Sequence, residues 1–110
     1  MKPLTNDELL WVGIDLDQTI AHNSGLPNFE LLEPTEGAKE ALEKIVERGF
    51  KPIIYTARPY SDYNKIEHWL DTHKIPYRRI FCGKVLLRWM IDDRNIPFDG
   101  DWAQVLKKIK

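Results

Sequence analysis

The stretch Trp11-Val12-Gly13-Ile14-Asp15-Leu16-Asp17-Gln18-Thr19-Ile20 decides how this 110-residue chain is read. From Leu9 to Ile14 apolar and β-branched residues follow one another without helical spacing, the pattern of a buried strand. The run ends in two carboxylates two positions apart and a polar turn. In an open parallel sheet, ligands bind at the carboxyl ends of the strands. Two acidic side chains there are costly unless something positive neutralises them. A hard divalent cation would do so, because Mg2+ takes one or two carboxylates together with substrate phosphate oxygens. Asp also stabilises turns by bonding its own backbone, so the pair alone leaves both readings open.

Working outward, residues 1–8 are a polar lead-in. Gln18 to Glu33 shows no sustained period and reads as a long loop or short β-flap. Ala38, Ala41, Leu42, Ile45 and Val46 recur at helical spacing between Pro34 and the stop at Gly49. Lys51 to Thr56 is a second strand with Pro52 near its start, and it ends in the polar cluster Thr56-Ala57-Arg58-Pro59. A second helix, capped by Ser61 or Asp62, runs to about His73 with Tyr63, Ile66, Trp69 and Leu70 inward. Tyr77 to Cys82 is a third strand, and Val85 to Asp92 contains a fourth that runs into Asp92 and Asp93. Asp101 caps a final helix buried through Trp102, Val105, Leu106 and Ile109, with Gln104 placed as in a capping box.

This alternation predicts an α/β fold: a parallel sheet with right-handed crossovers and helices on both faces, a three-layer Rossmann-like arrangement in one domain. Such a sheet brings Asp15 and Asp17, Thr56, and Asp92 and Asp93 to one edge. Composition sets further bounds. The net charge of -1 gives no footprint for nonspecific binding to nucleic acid or membrane, and no apolar run reaches membrane length. The single cysteine, Cys82, has no partner for an internal disulfide and reads as a buried thiol. With no leader before Trp11, a cytoplasmic location is the expectation. His22, His68 and His73 are assigned no role.

Phosphoryl transfer to water needs a nucleophile, an acid/base, a cation over the phosphate charge and fixed donors to its oxygens. Asp15 suits the nucleophile, Asp17 the acid/base, Thr56 and Lys84 the donors, and Asp92, with or without Asp93, the metal site. Asp15-Leu16-Asp17-Gln18-Thr19 resembles the first signature (DxDxT) of the haloacid dehalogenase superfamily of phosphohydrolases. Ile53-Ile54-Tyr55-Thr56 resembles the second signature, Lys84 the basic third and Met90-Ile91-Asp92-Asp93 the acidic fourth, spanning residues 9 to 107. The resemblance implies Asp15 as nucleophile and Asp17 as general acid/base whose backbone carbonyl reaches Mg2+. It further implies Thr56 and Lys84 on the phosphoryl group and Asp92 on the metal. An Asp at position 17 favours a phosphatase over a dehalogenase.

The usual cap domain has no counterpart here; residues 18 to 33 suffice only for a flap. Capless members resemble enzymes that oligomerise to close the site, or that act on large or exposed phosphate groups, so a homo-oligomer covered by a neighbour's flap is one expectation. Lys84 is the natural third-motif cation, with Lys51 as the alternative. Arg58 has two readings, gripping a substrate phosphate bidentately or pairing with Asp93 to hold a loop. His22, Asn23, Asn28, Phe29, Arg58 and Tyr60 are candidates for the specificity surface. Against a phosphatase stand a receiver-like phospho-accepting module and a catalytically silent scaffold. The third strand ends at Cys82-Gly83 with no Asp, which disfavours the receiver.

Overall fold

The computed structural model describes residues 3–25 and 30–110; Asn28 and Phe29 lie outside them. Strand β1 (Trp11–Ile14) follows a single 3-10 turn at Glu8–Leu10, two residues later than the apolar run begins. The flap forms an antiparallel hairpin, β2 (Ala21–Asn23) with β3 (Leu31–Pro34). Then come α1 (Ala38–Glu47), β4 (Lys51–Tyr55), α2 (Tyr63–Thr72), β5 (Arg79–Phe81) and α3 (Trp102–Lys108).

Strands β1, β4 and β5 form one parallel sheet in the order β1-β4-β5. Ile14 sits beside Ile54, and Tyr55 beside Phe81. That register sends Asp15, Thr56 and Cys82 out of the same edge of the sheet, each one residue beyond its strand. The interior of the sheet is Ile14, Ile53, Ile54 and Ile80, all buried. Leu42 and Ile45 of α1 and Ile66 and Leu70 of α2 are fully buried in the same core. Each such side chain contributes roughly 1.5–3 kcal/mol by leaving water.

Helix α1 begins after Gly37, whose left-handed φ of 84° favours glycine there. Its expected inward residue Val46 is instead exposed; four buried positions, Ala38, Ala41, Leu42 and Ile45, already fill the apolar stripe. Trp69 is core, as its spacing suggests, and its Nε1–H donates to the Leu32 carbonyl of the flap at 2.8 Å. The side chain of Asp101 caps α3 by accepting from the Ala103 N–H at 2.9 Å. Asp62 caps nothing: its carboxylate turns to Arg58. Among the described residues, no helix is long and apolar enough to cross a membrane.

The expected fourth strand does not form. Residues 85–92 carry strand-like composition but run as irregular chain, with Val85, Leu86, Leu87, Trp89, Met90 and Ile91 exposed. A parallel strand needs a crossover of roughly a dozen residues to return to the opposite edge. Only Cys82, Gly83 and Lys84 separate residue 85 from the end of β5. The chain leaves β5 at the carboxyl edge and has no length in which to come back.

Candidate functional site

Beyond β1 the backbone closes tightly. The Leu16 carbonyl accepts from the N–H groups of Thr19, Ile20 and Ala21 at 3.2, 3.0 and 3.0 Å. Leu16 itself is fully buried, which fixes the turn, and Gln18 takes a left-handed φ of 61° to make it. Asp15 and Asp17 therefore stand on either side of an anchored residue, both at the mouth of the sheet.

Thr56 and Lys84 are brought together by main-chain bonds that extend the sheet past its strands. The Thr56 N–H donates to the Phe81 carbonyl and the Lys84 N–H to the Thr56 carbonyl, both at 2.9 Å. The Gly83 N–H donates to the Arg58 carbonyl at 2.9 Å. Thr56 is fully buried, and its Oγ1 accepts from the Arg58 N–H at 3.1 Å. Lys84 Nζ lies 4.0 Å from Asp15 Oδ1 and 5.3 Å from the centre of the Tyr55 ring. Lys51, the alternative cation, sits at the other end of β4 and pairs with Asp7. Lys84 is thus the lysine next to Asp15.

Asp15 is half exposed, yet the protein around it removes enough water to raise its carboxyl pKa above the usual value, while Lys84 pulls the other way. Asp17 is held differently. Arg58 Nε donates to its Oδ2 at 2.9 Å and Arg58 Nη2 to its Oδ1 at 2.7 Å. Asn23 of the flap donates to the same Oδ1 at 3.2 Å, and Asp62 Oδ2 lies 3.5 Å from Arg58 Nη1. These carboxylates, Asp17 foremost, raise the pKa of the guanidinium further. Arg58 therefore pairs with Asp17 and Asp62, not with Asp93 as one reading of the sequence had it. The i,i+4 spacing of Arg58 and Asp62 was the available signal for that pair; nothing in the spacing pointed to Asn23.

Asp15, Thr19, Tyr55, Lys84 and Asp92 share one groove of about 730 Å3 along the free edge of β1. Asp92 is exposed there and its Oδ1 accepts from the Arg94 N–H at 3.0 Å, an Asx turn. Among the described residues no three His, Cys, Asp or Glu side chains are close enough together to hold a metal ion. Asp15, Asp17 and Asp92 are thus not assembled as a carboxylate trio. The donor set nevertheless suits a cation that keeps several waters. Asp15 is a partly desolvated carboxylate with one lysine at 4.0 Å to offset it, and Asp92 lies along the same groove. Cys82 is buried, which pushes its thiol pKa up. Tyr60 and His22 are exposed.

No protein-family model and no curated protein matches the chain. Two solved structures are similar to it. A crystallised target protein from Vibrio cholerae has 26% identity and a TM-score of 0.63, with 91% of this chain and 98% of that one covered. A conserved protein from Bacteroides thetaiotaomicron has 20% identity and a TM-score of 0.62, covering 88% of this chain and 86% of that one. Neither is described by an activity. They share the α/β architecture over nearly the whole length.

Proposed function

We propose that the chain is a Mg2+-dependent phosphatase of the haloacid dehalogenase type that works through an aspartyl-phosphate on Asp15. The observation that carries this reading is the meeting of Asp15, Lys84 and Thr56 at one sheet edge, although they lie in three separate stretches of sequence. Asp15 Oδ attacks phosphorus, and the bond from phosphorus to the leaving oxygen breaks as that oxygen takes a proton from Asp17. Water then attacks the aspartyl-phosphate, gives its proton to Asp17, and frees phosphate and the Asp15 carboxylate. Lys84 places a positive charge beside the attacking carboxylate and the equatorial phosphoryl oxygens. The Thr56 hydroxyl accepts from Arg58 and keeps its own proton for a phosphoryl oxygen.

Arg58 gives the site a second state. With no phosphate present, its fork donates to both oxygens of Asp17. An incoming phosphoryl group competes for the guanidinium and frees the Asp17 carboxyl to face the leaving oxygen. Mg2+, held by Asp15 and Asp92 with the Asp17 carbonyl, would neutralise phosphate charge. The groove is open, which suits a phosphomonoester on an accessible group.

The test is turnover of an aryl phosphate with and without Mg2+, in the wild type and in Asp15→Asn. The reading requires metal-dependent hydrolysis that the substitution abolishes. Turnover that ignores Asp15 contradicts it.

A further inference from the structure

The flap carries one side chain to Asp17. Asn23 closes β2 and pairs with Leu31 of β3, and the next residue, Leu32, accepts from the Trp69 indole N–H at 2.8 Å. The Thr35 hydroxyl donates to the Thr19 carbonyl at 2.6 Å. The hairpin is thus pinned both to the core and to the turn after β1. The half-buried carboxamide of Asn23 has a single orientation. Its Oδ1 accepts from Gln18 Nε2 and from the Gly25 N–H, each at 3.1 Å. Its nitrogen, which can only donate, is thereby turned to Asp17 Oδ1 at 3.2 Å. Gln18 reaches Asn23 from a left-handed φ of 61°, uncommon for a residue other than glycine.

We propose that Asn23 is a positioning residue for Asp17, holding its Oδ1 so that Oδ2 is presented to the leaving oxygen of the substrate. The inference rests on the phosphatase reading and adds to it the group that aims its acid. Arg58 Nε donates to Oδ2, whereas Arg58 Nη2 and Asn23 Nδ2 share Oδ1. A phosphoryl group that draws the guanidinium away takes the Nε donor from Oδ2 and leaves Oδ1 on the flap. An N–H donates to the unprotonated oxygen of a carboxyl group, so the proton is carried on Oδ2. As Asp15 Oδ bonds to phosphorus and the bond to the leaving oxygen breaks, that proton passes to the leaving oxygen. The aim matters most for a poor leaving group. An alcohol must be protonated as it departs, whereas an electron-poor phenol departs as its anion.

The experiment is kcat/KM with Mg2+ for aryl phosphates ranging from electron-poor to electron-rich phenols, and for an alkyl phosphate, in the wild type, Asn23→Ala and Asn23→Asp. This ratio reports the steps through loss of the leaving group, so the later attack of water does not enter. Asn23→Asp keeps an acceptor for Gln18 and Gly25 but has no N–H for Asp17; circular dichroism checks the fold of both variants. Both should lose about tenfold on the alkyl phosphate and at most about twofold on the most electron-poor aryl phosphate, so the dependence on leaving group steepens. An equal fall across the series is the mark of a structural or substrate-contacting role and overturns the proposal. So does a leaving-group dependence unchanged in either variant. No turnover in the wild type, or turnover that ignores Asp15, contradicts the phosphatase reading itself, and the proposal falls with it.

Discussion

Arg58 grips both oxygens of Asp17, at 2.9 and 2.7 Å, across 41 positions of sequence. The pair ties the end of β4 to the turn after β1. It also commits the second carboxylate of the acidic motif to a guanidinium while Asp15, two residues away, faces the groove. Two chemically identical side chains are thereby given different environments, one paired with a guanidinium and one partly desolvated beside Lys84.

Replacing Arg58 by Ala should lower stability by about 1–2 kcal/mol, a charge-assisted bidentate pair discounted for partial exposure. Arg58→Lys keeps the charge but not the fork, and should recover less than half of that loss. On an aryl phosphate, kcat/KM should fall about 10–100-fold in Arg58→Ala, the worth of a charged hydrogen bond to the substrate. Denaturant melts and steady-state kinetics check both. An unchanged kcat/KM would remove Arg58 from the site.

The pH dependence of stability follows from Asp15. Burial raises its folded pKa above the ordinary carboxylate value, so its ionisation opposes folding. That penalty is present at neutral pH and lifts as the pH falls through the folded pKa toward the unfolded one. Asp15→Asn should therefore melt at a higher temperature than the wild type at pH 7, with the gap closing below about pH 4. Calorimetry from pH 3 to 8 measures it. A gap that widens in acid has the wrong sign.

Thr56 is buried with its Oγ1 on the Arg58 N–H. Thr56→Val preserves shape but removes the acceptor, and should cost about 0.5–1.5 kcal/mol. Thr56→Ser keeps the hydroxyl and should retain activity that Thr56→Val loses. A Val variant with full turnover would show that the hydroxyl plays no part in catalysis.

In α3, Asp101→Ala removes the side-chain acceptor of the Ala103 N–H. The expected loss is about 1 kcal/mol, typical of a helix cap. Urea unfolding measures it, and Asp101→Asn should be near neutral.

Much of this was legible in the chain. The helices around Leu42 and Leu70 announce themselves by period, because burial on one face imposes it, and the strands around Val12 and Ile54 by short unbroken apolar runs. The placing of Asp15, Asp17 and Thr56 at one edge followed from parallel order; Lys84 joins them through the turn after β5. Residues 85–92 were misread for a physical reason. Their composition favours a strand, but a strand needs a neighbour, and the three residues after β5 cannot carry the chain to one. The partner of Arg58 was hidden because an ion pair over 41 positions leaves no local period. The left-handed Gln18 was hidden because that conformation is ordinarily signalled by Gly or Asn.

The proposed chemistry turns on a carboxylate oxygen of Asp15 as the atom that takes the phosphoryl group. The measurement is acid quench of the Mg2+-loaded protein during turnover of an aryl phosphate, followed by peptide mass spectrometry. The account predicts an acid-stable, base-labile phosphoryl group on the peptide carrying Asp15, absent in Asp15→Asn. Turnover at full rate with no phosphorylated peptide, or with the label on another residue, would contradict it.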